Sequence, residues 1–145
     1  MLTFATLMKK RLLFIVNPIS GTSDKDSLPG LINKHLDLSR FDYQIKLTEY
    51  PGHATEIAKE AQQHFDTVIA VGGDGTVNEV ARSLVHTPVA LGIIPIGSGN
   101  GLARHLLIPL NFKKSIEIIN LCEVHDLDYG VINDNPFFCT CGMGF

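Results

Sequence analysis

Apolar positions along this chain alternate between two rhythms. Leu12-Leu13-Phe14-Ile15-Val16 is an unbroken run, the pattern of a strand covered on both faces. Leu28, Leu31, Ile32, His35 and Leu36 follow at helical spacing, with Pro29 tolerated in the first turn. Tyr43, Ile45 and Leu47 alternate with Gln44, Lys46 and Thr48 and predict a strand with one wetter face. Ala54, Ile57, Ala58, Ala61 and Phe65 restore the helical period, and residues 67–71 predict another buried strand, ending in Gly72-Gly73-Asp74-Gly75. Val77, Val80, Ala81, Leu84 and Val85 form the next helical stripe, and residues 89–94 one more buried strand, followed by a short helix through Leu106 and a further helix marked by Ile116 and Ile119. This β-α order predicts an α/β fold, a mainly parallel sheet with helices on both faces. Residues 123–132 and 136–143 then predict two strands of an antiparallel hairpin around the turn tripeptide Asn133-Asp134-Asn135.

Residues 1–8 match neither rhythm, and Met8 before Lys9-Lys10-Arg11 has the form of a natural start. Residues 1–10 are therefore expected to be a flexible extension and 11–145 the folded domain. The last residues, Gly144-Phe145, fall inside an apolar glycine-rich segment, which is expected to interrupt a fold rather than finish one.

Composition narrows the class. At 145 residues, 45% hydrophobic and 19% charged, the chain suits one globular domain with a packed core. A net charge of −3 argues against nucleic acid as a partner, so any anionic ligand must be held by local geometry. Cys122, Cys139 and Cys141 form no C-x-x-C pair and are expected to be buried reduced thiols. The five apolar residues after Lys9-Lys10-Arg11 are too few for a signal peptide, which needs about 7 to 15, and the expected location is cytoplasmic.

Three strand ends carry candidate chemistry: Asn17-Pro18-Ile19-Ser20-Gly21, Gly72-Gly73-Asp74-Gly75-Thr76 and Gly97-Ser98-Gly99-Asn100-Gly101. Ligands of open α/β sheets collect at such ends, where glycines let backbone N–H groups approach phosphate oxygens. Thr76-Val77-Asn78-Glu79 has the form of a capping box, which would aim a helix dipole at the same place. Asp74 among phosphate-binding groups points to a metal nucleotide or to a hydroxyl being deprotonated; a turn residue bonding its own backbone is the alternative. Asn17 before Pro18 also suits a simple strand end. No Walker motif, no complete G-x-G-x-x-G and no G-x-S-x-G occurs.

Those three motifs, with Leu102-Ala103-Arg104 after the third, resemble the catalytic domain of the diacylglycerol kinase and sphingosine kinase family, the bacterial lipid kinases in particular. The glycine-glycine-aspartate-glycine core alone is shared with NAD kinases and phosphofructokinases; the first and third motifs select the lipid kinase branch. The resemblance implies the three-layer N-terminal domain of the NAD kinase and diacylglycerol kinase fold, and a second, β-rich, lipid-binding domain that this chain does not include. It implies that Asn17, Pro18, Ser20, Gly21, Thr48, Gly72, Gly73, Gly75, Thr76, Asn78, Glu79, Gly97, Ser98, Gly99 and Asn100 surround ATP, with Asp74 as catalytic residue and as ligand of Mg²⁺. His53 is expected to cap a helix or take part in catalysis, and Arg82 and Arg104 to be solvated or to reach a phosphate or lipid surface. Asp128 is expected to be structural or part of a metal network.

The implied reaction is transfer of the γ-phosphate of Mg-ATP to a lipid hydroxyl, on a diacylglycerol-like or sphingoid acceptor, in phospholipid metabolism. Peripheral contact with the inner membrane face is implied, although the sequence shows no amphipathic anchor. The rivals are a kinase of a soluble acceptor such as NAD, and a nucleotide-binding module without catalysis.

Overall fold

The computed structural model describes residues 8–18 and 27–138. Four parallel strands form the main sheet: β1 (Lys10–Val16), β2 (Phe41–Leu47), β3 (Thr67–Gly72) and β4 (Ala90–Pro95), in the order β2-β1-β3-β4. Between and after them lie α1 (Leu28–His35), α2 (His53–Ala61), α3 (Asp74–Leu84), α4 (Gly101–His105) and α5 (Phe112–Leu121). A separate antiparallel hairpin follows, β5 (Gly130–Ile132) and β6 (Asn135–Phe137).

The unbroken apolar runs are the inner strands, as expected of strands buried on both faces. In β1, Leu12, Phe14 and Val16 face one layer, with Leu28 and Ile32 of α1 and Ile116 of α5. Leu13 and Ile15 face the other, with Ile57 of α2, Val77 and Val80 of α3 and Leu102 of α4. The three-layer α/β expectation is thereby met. Edge position explains the alternating run: β2 pairs only with β1, Tyr43 and Ile45 are half-buried, and Leu47 is exposed.

The C-terminal quarter departs from expectation. Residues 123–129 form no strand, because Glu123, His125, Asp126 and Asp128 are exposed and offer no apolar face; Leu127 alone packs on the core. The hairpin turn consists of two residues, Asn133 (φ 48°) and Asp134 (φ 64°), while Asn135 belongs to β6 and pairs with Ile132. Two left-handed residues match the twist of the flanking strands, as in a type I′ turn. The second strand was expected to reach Met143; it ends at Phe137, and residues 139–143 lie outside the described residues, as do Cys139 and Cys141. Cys122 is half-buried rather than buried. β6 docks on α3 through Arg82 Nε, which donates to the Pro136 carbonyl at 2.9 Å, and Tyr129, just before β5, sets its Oη 3.1 Å from Nε2 of His86, just past α3.

Candidate active site at the carboxyl rim of the sheet

Parallel strands deliver all their following loops to one rim. The order β2-β1-β3-β4 has its switch point between β1 and β3, because the chain leaves β1 toward β2 on one side and returns to β3 on the other. Asn17 stands at this crevice, its backbone N–H donating to the Val71 carbonyl at 3.1 Å. Thr48, just past β2 and buried, donates its N–H to Val16 at 2.9 Å, and Ile96, just past β4, donates to Gly72 at 2.9 Å. The first, second and third motifs therefore start side by side. Pro18 is half-buried beside Asn17; Ser20 and Gly21 lie outside the described residues.

The second and third motifs are clasped together by Asp74. Its Oδ2 accepts the Asn100 N–H at 3.1 Å and its Oδ1 the Gly101 N–H at 2.7 Å, at the start of α4. A carboxylate is well placed against the unsatisfied N–H groups of a helix start. At position 99 a Cβ would stand 2.5 Å from Asp74 Oδ2, so any larger residue there must displace that carboxylate. Gly97 adopts φ 102°, a left-handed turn that only glycine takes without strain, and its carbonyl accepts Asn100 Nδ2 at 2.8 Å. Arg104 reaches back to the same loop, donating from Nε to the Gly99 carbonyl at 2.8 Å. Ser98 and Gly75 remain exposed at the rim.

The expected capping box is not formed. Helix α3 begins at Asp74, with Gly73 as N-cap and no side-chain cap bond, so Thr76 is already inside the first turn and buried. Glu79 turns elsewhere: its Oε1 accepts the Gly52 N–H at 3.1 Å and ties the start of α2 to α3. His53 opens α2 as a local fastener, accepting the Glu49 N–H at Nδ1 (3.0 Å) and stacking on Tyr50 at 4.4 Å. The Tyr50 hydroxyl donates to Glu56 Oε2 at 2.6 Å, and that bond holds its pKa above the ordinary tyrosine value.

One feature bears on a ligand at this rim. Among the described residues, two buried side-chain oxygens have no hydrogen-bond partner, Asn78 Oδ1 and Asn100 Oδ1, and both residues adjoin the Asp74 clasp in sequence or space. An orphaned buried acceptor costs about 1–3 kcal/mol, so a donor-bearing ligand or water is favoured there. Also among the described residues, no group of three or more His, Cys, Asp or Glu is placed to hold a metal. Asp74 is the carboxylate at this rim that could join water and phosphate oxygens around Mg²⁺. Asp128 is exposed in the irregular segment 123–129.

Fold and rim together define a parallel α/β domain with clasped glycine loops beside its strand-order switch point. Residues 11–132 match the diacylglycerol kinase catalytic domain. The chain belongs to that family. It is similar to diacylglycerol kinases of Staphylococcus saprophyticus, 37% identical over 94% of this chain and 46% of the relative, and of Staphylococcus aureus, 35% identical over 94% and 44%. Among solved structures, a diacylglycerol kinase from Bacillus anthracis superposes with a TM-score of 0.76, at 32% identity over 88% of this chain and 44% of that one. The chain thus spans about half the length of the relatives it matches. No helix among the described residues is long and apolar enough to cross a membrane.

Proposed function

We propose that this chain is the nucleotide-binding half of an ATP-dependent lipid kinase, transferring the γ-phosphate of Mg-ATP to the hydroxyl of a diacylglycerol-like or sphingoid lipid. The observation that carries this reading is the Asp74 clasp. It fixes one carboxylate and two glycine loops at the switch-point crevice, where the first motif also arrives. Phosphoryl transfer asks mainly for positioning and charge neutralisation, which backbone N–H groups and a fixed carboxylate provide. Asn17, Pro18 and Thr48 would bound the crevice on the β1–β2 side, and Gly72 through Glu79 with Gly97 through Asn100 on the β3–β4 side. When bound, Mg²⁺ would neutralise phosphate charge, with Asp74 as its protein ligand. Alternatively, Asp74 would accept the proton of the attacking hydroxyl. The new bond joins that hydroxyl oxygen to the γ-phosphorus, and the bond to the β–γ bridging oxygen breaks to release ADP.

The relatives' greater length supports a second domain that closes the site. Alone, the 145-residue chain is expected to bind ATP weakly and to catalyse poorly, since water enters a half-open site. The decisive experiment follows labelled phosphate from ATP to diacylglycerol, sphingosine and NAD with the full-length native product. Asp74→Asn is expected to lower lipid phosphorylation at least about a hundredfold, around 2.7 kcal/mol of transition-state stabilisation. Near-normal turnover removes Asp74 from the chemistry, transfer to NAD alone marks a soluble-acceptor kinase, and ATP binding without transfer marks a sensing module.

A further inference from the structure

We propose that the segment 104–114, which carries the chain from α4 into α5, docks this protein on an anionic lipid bilayer. The inference rests on the lipid-kinase reading for its biological sense but on separate residues for its evidence. Leu107 is 86% exposed with φ 57°, and Leu106 and Leu110 beside it are also exposed. The α4 terminus is a Schellman turn: Ile108 N–H donates to the Ala103 carbonyl at 2.8 Å and Leu107 N–H to Arg104 at 3.1 Å. Leu107 occupies the left-handed position of that motif, where glycine is the usual residue. Ile108 turns inward onto the core, so the loop is anchored while its leucines point out.

A second local misfit lies next to it. Asn111 caps α5 by accepting the Lys114 N–H at 3.1 Å, which puts Lys113 and Lys114 in the first turn, where the helix dipole disfavours cations. Lys113 has the Glu117 carboxylate 3.9 Å away, an exposed pair of little weight, and the segment 104–114 itself contains no Asp or Glu. A left-handed, solvated leucine and lysines in a helix's first turn are each unfavourable placements within the fold. An interface with apolar depth beneath negative headgroups satisfies both: leucines enter the acyl boundary and lysines meet the phosphates. The geometry is also productive, because α4 is about 7.5 Å long and its other end is held by Asp74, which keeps the proposed reaction centre near the surface. The occupant is therefore a bilayer, whose negative headgroups complement Lys113 and Lys114 beside the exposed leucines.

The test is co-sedimentation of the 145-residue chain with vesicles of equal phosphatidylglycerol and phosphatidylcholine, against phosphatidylcholine alone. Binding to the anionic vesicles is expected, weakening with salt. Leu107→Gly, which relieves the backbone and so keeps the fold, and the pair Lys113→Glu with Lys114→Glu should each lower partitioning at least about tenfold. Since the chain has no tryptophan, Leu107→Trp gives a clean reporter whose emission should shift to the blue on anionic vesicles only. Wild-type partitioning retained in Leu107→Gly overturns the proposal, as does absence of vesicle binding, or self-association that Leu107→Gly disperses. ATP titration of the same samples separates the two claims: vesicle binding without nucleotide binding keeps the docking surface and sinks the kinase reading, and the reverse sinks only the docking surface.

Discussion

Both carboxylate oxygens of Asp74 are engaged by the neighbouring glycine loop, which gives this residue a duty that its local sequence does not display. The partners, Asn100 and Gly101, lie 26 and 27 positions away, and no periodicity links residues at that distance. What the sequence does show is the glycine at position 99, whose missing Cβ lets the carboxylate approach. Gly99→Ala is accordingly expected to push Asp74 off its two N–H groups. The cost should be about 1–3 kcal/mol of stability from unmet polar groups. It should appear as a lower denaturant midpoint, together with weaker nucleotide binding in titration. Unchanged stability and affinity would mean that the clasp yields freely. The same distance in sequence hides the bond from Arg104 to Gly99 less completely, since an arginine five residues after a loop carbonyl is within reach of it.

Elements were legible where burial is two-sided and illegible where ends are decided by polar detail. The runs that became β1, β3 and β4 had one available interpretation, because an unbroken apolar strand is stable only between two layers. Thr76 and Glu79 misled because the glycine at position 73 already starts the helix, and Glu79 gains a long-range partner in Gly52 that outcompetes a local cap. The strand expected over 123–129 failed for want of an apolar face, leaving strands of three residues each in the hairpin. At the end of α4 the turn geometry is intact although the residue is wrong for it. Leu107→Gly should therefore raise stability by about 1 kcal/mol, the cost of a left-handed backbone at a residue with a Cβ. Chemical denaturation reads this directly, and a loss of stability would show that Leu107 makes contacts worth more than its strain.

At the scale of the whole molecule, the strand order decides where function sits. Four parallel strands send Asn17, Thr48, Asp74 and Ser98 to one rim, and the reversal between β1 and β3 opens the crevice there. The sequence foretold the alternation that requires a parallel sheet but not the order β2-β1-β3-β4, which depends on pairing between distant strands. With the order known, a ligand at this rim would touch loops from every strand of the sheet, so its binding should be felt by global unfolding rather than by one loop. A ligand that binds only the folded state at ten times its dissociation constant adds about 1.4 kcal/mol of stability. For a domain of this size that corresponds to roughly 5 °C in melting temperature. Mg-ATP at such excess should raise the melting temperature of this chain by that amount, measured by calorimetry, and Gly99→Ala should reduce the rise. If adenine nucleotide leaves the wild-type transition where it was, even at millimolar levels, the loops at this rim hold no triphosphate and the proposed kinase site is lost with them.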